Sequence, residues 1–257
     1  RNRKKASIGV YDLDKIKFPL TYTTQQKNFR FTPLEFKEKL TLSQILAKHP
    51  KGKEYAHLIE NYNEFPIWID ANNQVLSMPP IINSEEIKVN ERTRNLFIDV
   101  TGLDLKTVEQ VLNIIVTALA ERKAEIYSVK VNNKIYPNLN PVKVKLDLNY
   151  VNSLLGLKLS KNDLKKYLER MGYEVSNEIL VPAYRTDILH QVDLIEDVSI
   201  AYGYENFKEE IPKIGTIGGE NNFEKFKRKI AEILIGLNLT EVNTYHLTNE
   251  NDAVKRM

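Results

Sequence analysis

Four carboxylates stand close together between residues 181 and 207, in a pattern suited to binding a cation. They are Asp187, Asp193, Glu196 and Asp197, and they fall within eleven consecutive positions. The last three are three or four residues apart, so a helix places them on one face. Like charges at this spacing repel unless a cation or solvent screens them, and Mg2+ suits a few carboxylate oxygens while keeping much of its water. One interpretation is therefore a magnesium site.

The same helix also has an ordinary structural explanation. Its apolar side chains, Leu194, Ile195, Val198 and Ile200, lie opposite the carboxylates, as on any surface helix that packs against a core. Acidic side chains near a helix start are also favoured by the helix dipole. From spacing alone, both the cation site and the solvated acidic face stay open.

A second candidate lies on a predicted strand over residues 94–101. Asp99 and Thr101 are two positions apart, so they project from the same face of that strand. Burying an ionisable group in an apolar strand costs free energy unless it has a partner, which makes Asp99 a candidate for binding or catalysis. The structural alternative is that Asp99 bonds a backbone group or an arginine and holds a loop.

The run from Leu76 to Ser84 offers further candidates. Pro79 and Pro80 stiffen the backbone ahead of two isoleucines, and Asn83 and Ser84 follow as small polar groups. This run therefore predicts a preset backbone that presents two polar side chains.

Composition limits the remaining protein classes. The 257 residues carry 37 basic and 34 acidic side chains, which permits contact with nucleic acid without demanding it. The sequence has no cysteine, no signal-like N-terminus and no apolar run of about 20 residues, so we predict a cytoplasmic protein without disulfides or a membrane span. A nucleophilic triad is not predicted, and His49 and His57 are interpreted as helix-end or surface residues. The ends, Arg1 without a preceding Met and Met257 shortly after a new helix, predict a fragment.

Periodicity and caps predict the elements that position these groups. The predicted strands are residues 6–13, 65–69, 75–78, 94–101, 125–131, 142–148 and 241–246. The predicted helices are residues 33–40, 42–49, 55–59, 104–122, 161–171 and 222–237, besides the acidic helix, with N-caps at Thr41, Asp104 and Ser160 and a break at Pro50. We therefore predict an α+β protein whose residues 139–212 run strand, helix, helix, strand, strand, helix, in a winged-helix-like arrangement.

The acidic segment carries a family resemblance. Its strings PAYRTDI at 182–188, DLIED at 193–197 and YGYEN at 202–206 resemble the small domain of phenylalanyl-tRNA synthetase beta subunits. In that family the four matching acidic positions bind magnesium, which implies the ligands Asp187, Asp193, Glu196 and Asp197. Asp197 departs from the pattern, since many relatives have glutamate there.

Further blocks extend the resemblance in the family's order. Lys5 to Asp14, Leu76 to Ser84 and Asp99 to Gly102 resemble the editing domain of the archaeal and eukaryotic branch. Residues 236–242 resemble the start of its catalytic-like domain, a class II synthetase relic without aminoacylation chemistry. The implied parts are a mixed-sheet editing domain over residues 1–138, a small magnesium-associated domain over residues 139–212 and the beginning of the catalytic-like domain over residues 213–257.

The resemblance implies post-transfer editing, the hydrolysis of tyrosine wrongly esterified to tRNA(Phe). A pocket that accepts a phenyl ring discriminates poorly against an added hydroxyl, so an editing site needs a polar partner for the phenol. We expect a positioned water, assisted by the terminal ribose of the tRNA, to attack the ester. The implied residues are Asp99 and Thr101 for polar contacts, Asn83 and Ser84 for positioning the ester or water, and Leu76, Pro79 and Pro80 for the walls.

The resemblance also implies partners. They are tRNA(Phe) and an alpha subunit, which holds the ATP and phenylalanine sites, in a heterotetramer of two alpha and two beta subunits, with Mg2+ as cofactor. The alternative function is a non-catalytic scaffold that binds the alpha subunit and tRNA without editing. A DNA-binding module is disfavoured, because the acidic helix would present negative charge to phosphates.

Overall fold

The structure is a computed structural model that describes residues 3, 5–211, 215, 217–243 and 246–250. The chain divides into two compact units, Arg1–Asn206 and Phe207–Met257. Of the helices in the described ranges, none combines enough length with enough apolar character for a transmembrane span.

The first unit contains both strands and helices, and α7 lies in the second. The strands are β1 (Ala6–Asp12), β2 (Thr21–Gln26), β3 (Arg30–Phe31), β4 (Leu40–Thr41), β5 (Glu64–Ile69), β6 (Val75–Met78), β7 (Ile82–Asn83), β8 (Leu96–Gly102), β9 (Val129–Val131), β10 (Lys134–Tyr136), β11 (Val142–Val144), β12 (Glu174–Val175) and β13 (Ile179–Val181). The helices are α1 (Leu42–Lys48), α2 (Pro50–Tyr55), α3 (Leu105–Ala120), α4 (Leu148–Leu155), α5 (Lys161–Arg170), α6 (Gln191–Tyr202) and α7 (Asn222–Gly236). The predicted α+β class is confirmed, and the sheets among the described residues are antiparallel.

A two-stranded ladder of β1 and β8 positions Asp99. Opposite residues of an antiparallel pair project from the same face, and alternate residues share that face. The register pairs Ser7 with Thr101, Gly9 with Asp99 and Tyr11 with Phe97. These three rungs therefore form one surface of the ladder.

A four-stranded sheet in the order β2-β5-β6-β7 lies next to this ladder. The turn between β6 and β7 carries Pro79 and Pro80, and Met78 pairs with Ile82 across it. A core cluster of Tyr11, Leu76, Ile87 and Phe97 joins the ladder to the sheet. The predicted run over residues 76–84 thus folds back on itself beside Asp99.

Side-chain caps begin three helices where the sequence predicts. Thr41 accepts from the backbone N–H of Gln44 at 3.1 Å, and the Gln44 side chain accepts from the Thr41 N–H in return. Asp104 accepts from the N–H of Thr107 at 2.8 Å, and Ser160 heads a similar box at α5. Such a cap contributes about 1 kcal/mol to stability. Because it joins residues only three positions apart, the residue types alone locate these helix starts.

Residues 142–202 run strand, helix, helix, strand, strand, helix, in the predicted order. The three strands form a sheet in the order β11-β13-β12. Gly172 follows α5 with φ 89°, the left-handed conformation that favours glycine after a helix. The core of this region consists of Val151, Leu164, Leu168, Tyr173, Ile179, Val181, Leu194, Ile195 and Val198.

Several predicted elements differ from the structure. Residues 33–40 are not a helix, because Pro33 bridges to Ser84 and Glu35 has φ 69°, which a right-handed helix excludes. Helix α1 ends ahead of Pro50, as predicted, but α2 begins at Pro50 itself and not near residue 55, since the first helical position needs no N–H donor. Residues 241–243 are not in a strand, and part of the predicted strand 241–246 lies outside the described residues. The strands predicted over 125–131 and 142–148 are shorter, as β9 and β11.

Candidate functional site

A cleft of about 140 Å³ lies between the β1-β8 ladder and the β6-β7 turn. A dry apolar cavity of roughly 150 Å³ admits a benzene ring, so the cleft has the size for one aromatic side chain. Four of the predicted residues line it, namely Pro79, Pro80, Asn83 and Asp99. The other lining residues are Arg3, Ser7, Ile8, Gly9, Tyr11, Leu34, Ser77, Ile81 and Ile82.

The other three predicted residues stand outside the lining. Leu76 is buried in the core that joins the two sheets. Ser84 is 1% exposed, and its N–H donates to the Leu76 carbonyl at 2.7 Å. The hydroxyl of Thr101 shares a 2.8 Å hydrogen bond with that of Ser7. In this structure Leu76, Ser84 and Thr101 support the walls of the cleft.

Asp99 places a buried carboxylate at the wall of the cleft. It is 8% exposed, and its Oδ1 atom has no hydrogen-bond partner among the described residues. Burial raises the pKa of Asp99 to about 6, although Tyr11 and Trp68 beside the carboxylate act in the opposite direction. A buried acceptor without a donor is costly, and a ligand that brings a donor removes that cost.

Gly9 provides the space that this carboxylate occupies. A methyl group at Gly9 would lie 2.0 Å from Asp99 Oδ1 and 2.1 Å from the Tyr11 hydroxyl oxygen, far inside contact distance. The Tyr11 hydroxyl donates to Ser77 Oγ at 2.9 Å, so its proton is already engaged. Burial, followed by the charge of Asp99, raises the pKa of Tyr11 well above its ordinary value, so Tyr11 stays a neutral donor.

Sequence reasoning missed the roles of Gly9, Tyr11 and Ser77. The strand β1 is predicted, but its partner and register are not, and only the register puts Gly9 across from Asp99. One available signal is the glycine itself, because glycine inside an alternating strand often marks a close approach by another group.

Arg3 stands at the cleft and ties its turn in place. Its guanidinium donates to the carbonyl oxygens of Pro80 and Ile81 at 2.7 and 2.6 Å. It also lies over the ring of Tyr55, 4.2 Å from the centroid. The cleft therefore carries a positive charge on one wall and the Asp99 carboxylate on another.

The two histidines near this region are not among the lining residues. His49 is buried, with Nε2 3.1 Å from the Leu34 carbonyl oxygen, and its Nδ1 accepts from the N–H of Lys51. His49 therefore caps α2 and contacts Leu34, which is one of the lining residues. His57 lies in a short 3-10 turn after α2.

Stability is expected to depend on pH through Asp99. Its folded-state pKa of about 6 lies above the ordinary value of about 3.9 for an unfolded chain. At a pH between these two values, Asp99 is protonated in the folded chain and ionised in the unfolded chain. Asp99 therefore lowers stability progressively as pH rises from about 4 to about 6. We expect Asp99→Asn to raise the free energy of unfolding by roughly 3 kcal/mol at neutral pH and by much less at about pH 4. Urea unfolding at both pH values measures this, and an equal effect at both would contradict it.

All four carboxylates of the acidic segment accept hydrogen bonds from protein donors, and Asp187 and Asp197 share one donor. Asp197 is 6% exposed, accepts from Arg185 at 2.7 Å and is also bonded by the Tyr173 hydroxyl. Asp187 pairs with the same Arg185, which holds the pKa of Asp187 below its usual range. Glu196 accepts from the hydroxyl of Tyr204 at 2.5 Å.

Asp193 serves the start of α6. Its carboxylate accepts from the backbone N–H groups of His190 at 2.7 Å and Leu189 at 2.8 Å. These two bonds hold the pKa of Asp193 below its usual range. The residue is part of a capping box, a position that helix chemistry explains without a metal.

The acidic segment does not gather its carboxylates around one point. In the described part of the chain, no group of three or more histidine or acidic side chains is arranged to hold a metal ion. Arg185 supplies positive charge to Asp187 and Asp197 instead. As placed here, the four carboxylates do not fit the coordination of a single Mg2+ ion.

Two family models match the chain in separate stretches. The B3/4 domain matches residues 4–120, which hold most of the cleft, and the tRNA synthetase B5 domain matches residues 144–204, which hold the acidic helix. The phenylalanine–tRNA ligase beta subunits of Thermococcus gammatolerans and Pyrococcus abyssi are each 45% identical over 100% of this chain, which covers 47% and 48% of them. The chain belongs to the family of phenylalanyl-tRNA synthetase beta subunits.

A solved structure agrees with this assignment. It is an N-terminal fragment of the phenylalanyl-tRNA synthetase beta subunit from Pyrococcus horikoshii, with 46% identity and a TM-score of 0.75, covering 79% of this chain and 61% of that one. The predicted resemblance to the archaeal branch of the family is thereby confirmed. The chain spans about half the length of the curated relatives it matches. The domain boundaries at residues 138/139 and 212/213 stay predictions.

Proposed function

We propose that the B3/4 region hydrolyses tyrosine from mischarged tRNA(Phe). The observation that carries this proposal is the buried Asp99 carboxylate, an acceptor without a donor on the wall of a cleft sized for one aromatic ring. The phenol of a tyrosyl ester brings the missing O–H donor, and a phenylalanyl ester brings none.

Selectivity follows from the cost of leaving Asp99 unpaired. A buried group that lacks its hydrogen-bond partner costs about 1 to 3 kcal/mol, and more when it is charged. Sites built to bond a substrate hydroxyl reject the analogue without it by as much as about 10⁴- to 10⁵-fold. Pro79, Ile81 and Ile82 offer apolar contacts to both rings, so discrimination depends on Asp99.

The chemical step needs a water molecule held against the ester carbonyl. The water oxygen bonds to the carbonyl carbon, the bond from that carbon to the ribose oxygen breaks, and a water proton passes to the ribose oxygen. Asn83 contacts the Val10 carbonyl only at 3.5 Å, so its amide is available to position the ester or the water. The lining serines, Ser7 and Ser77, are bonded to neighbouring hydroxyls. We therefore assign the attack to water, assisted by the terminal ribose, and not to a protein nucleophile.

Deacylation assays test this function directly. The purified chain is incubated with tRNA(Phe) carrying either tyrosine or phenylalanine, and release of each amino acid is followed. We expect tyrosine to be released much faster, and Asp99→Ala to remove the difference. Asp14→Asn is the matched control, because Asp14 is an acidic residue outside the cleft lining. Equal, background-level release of both amino acids by the unmodified chain would contradict the proposal.

Subunit assembly is the second part of the proposed function. The family leads us to propose a heterotetramer of two alpha and two beta subunits that acts on tRNA(Phe) in the cytoplasm. Exposed apolar side chains at the start of α6, Leu189 at 81% and Val192 at 39%, support a protein contact there. If the chain binds the alpha subunit and tRNA yet releases neither amino acid, it is the non-catalytic scaffold.

Magnesium binding by the acidic segment is proposed only for the assembly with the alpha subunit, because each carboxylate is engaged by protein donors here. We expect Mg2+ to leave the thermal unfolding midpoint of this chain unchanged, with Asp187→Ala and Glu196→Ala behaving like the parent in that respect. A rise in the midpoint with Mg2+ that Asp187→Ala abolishes would instead place a site within this chain. Differential scanning fluorimetry with and without a chelator makes the measurement.

A further inference from the structure

Trp68 is the one tryptophan of the chain, and it lies beside the cleft without being part of its lining. It stands on β5 opposite Ser77 of β6 and packs against the core cluster that contains Tyr11. The ring of Tyr22 meets it edge-on at a centroid distance of 5.1 Å. The indole is thus held in place by packing on several sides.

The indole N–H of Trp68 is buried and has no acceptor within the described ranges. Asp99 Oδ1 is the other buried side-chain atom of those ranges without a hydrogen-bond partner. One of the two is a donor and the other an acceptor, and each is costly when left alone. Because Trp68 also lowers the pKa of Asp99, as a donor beside a carboxylate does, these two complementary groups lie close enough for a contact that tightens in a functional state.

A short series of contacts joins Trp68 to Asp99. Ser77, opposite Trp68 in the sheet, accepts from the Tyr11 hydroxyl, which shares with Asp99 Oδ1 the space over Gly9. Trp68 also favours the ionised carboxylate, and so acts against the rise that burial causes in the pKa of Asp99. Hydrogen bonds in active sites are often long or poorly aligned without substrate and tighten when it binds.

We propose that Trp68 is a positioning residue whose indole N–H donates to the Asp99 carboxylate and aims it at the phenol of the substrate. The inference rests on the proposed function, because it names the residue that orients the specificity group. A carboxylate has several lone-pair directions, so one accepts from the indole and another from the phenol O–H. A tyrosyl ester completes this arrangement, whereas a phenylalanyl ester leaves the second direction empty.

Other groups near Asp99 do not replace this donor. Tyr11 from β1 lies beside the carboxylate and lowers its pKa, as Trp68 does, but its hydroxyl proton is donated to Ser77 Oγ. Tyr22 faces Asp99 from β2. Burial and then the charge of Asp99 raise the pKa of both phenols, so neither ionises near neutral pH. Arg3, the basic residue of the lining, is bonded to two backbone carbonyls. A titration near pH 6 in this region therefore reports Asp99.

Trp68→Phe tests the proposal in the full chain, because phenylalanine keeps an aromatic ring against Tyr22 and removes the N–H donor. We expect selectivity for tyrosine over phenylalanine release to fall about 10-fold, as for loss of a hydrogen bond to a charged group. The pH midpoint of selective release should move upward, since the carboxylate loses a donor that favours its ionised form. A merely structural role would lower thermal stability without moving this midpoint. Unchanged selectivity and an unchanged midpoint in a folded variant would overturn the proposal.

The fluorescence of Trp68 gives a second readout that does not depend on hydrolysis. We expect its emission to change with pH around a midpoint of about 6, following the carboxylate. Asp99→Asn should abolish the transition, and Glu64→Gln on the same strand should retain it. Absence of the transition in the parent chain, or its persistence in Asp99→Asn, would overturn the proposal. If the pH-dependent emission change is lost in Asp99→Asn but the parent chain releases neither amino acid, the editing function is contradicted while the contact between Trp68 and Asp99 is supported.

Discussion

Replacing Gly9 by alanine is expected to lower kcat/KM for hydrolysis of tyrosyl-tRNA(Phe) by about 100-fold, the usual cost of misplacing a catalytic group by about 1 Å. The added methyl would lie 2.0 Å from Asp99 Oδ1 and 2.1 Å from the Tyr11 hydroxyl oxygen. These distances are far below van der Waals contact, so at least one of the two side chains must move. A displaced carboxylate no longer reaches a phenol seated in the cleft.

Release of tyrosine and of phenylalanine from tRNA(Phe) measures this effect, with thermal unfolding as a check on the fold. Gly219→Ala is the matched control, because a methyl group there meets nothing within 4 Å. If Gly9→Ala folds poorly, Asp99→Ala tests the same loss of tyrosine-selective hydrolysis without crowding the cleft. Full tyrosine-selective release by Gly9→Ala would show that the observed position of Asp99 is not required.

Removing the guanidinium of Arg185 is expected to have the largest effect on stability. Arg185 pairs at 2.7 Å with Asp197, whose side chain is only 9% exposed, and lies over the ring of Tyr173. Arg185→Met leaves a buried carboxylate without its countercharge, which typically costs about 3 to 5 kcal/mol. Chemical unfolding of the whole chain, monitored by circular dichroism, measures this loss.

Two further variants separate the buried pair from an ordinary surface charge. Lys165→Met breaks an exposed pair with Glu169 at 3.6 Å, and we expect a change of no more than about 0.5 kcal/mol. Combining Arg185→Met with Asp197→Leu should restore much of the lost stability, since the unpaired charge is then gone. Two results would show that a cation other than Arg185 neutralises Asp197. One is a loss in the free energy of unfolding for Arg185→Met no larger than for Lys165→Met. The other is full recovery of the stability of Arg185→Met when Mg2+ is added.

Local chemistry was enough to predict much of the fold. Thr41, Asp104 and Ser160 begin helices because their side chains bond backbone groups within the next three residues, whatever the rest of the chain does. The two-residue period of a strand likewise puts Asp99 and Thr101 on one face of β8. The same period predicts the strands over residues 65–69 and 75–78, which are β5 and β6.

Pairing between distant segments was not predictable in the same way. Pro33 has the sequence environment of a helix start, but it bridges to Ser84, a partner far along the chain. The spacing of Asp193, Glu196 and Asp197 gives them a common helix face, yet each turns to its own partners. Spacing along one helix does not show which donors other segments bring to it.

The amino-acid sequence by itself determined the order of the elements over residues 142–202, the caps at Thr41, Asp104 and Ser160, the acidic face of α6 and the family, because these depend on residue types and short spacings. Only the tertiary structure decided that Asp99 stands unpaired over Gly9 in a small cleft, and that Arg185 neutralises Asp197. The first depends on the register of β1 against β8, and the second on how the loop before α6 packs against that helix. Long-range packing selects such contacts, and no local spacing specifies them.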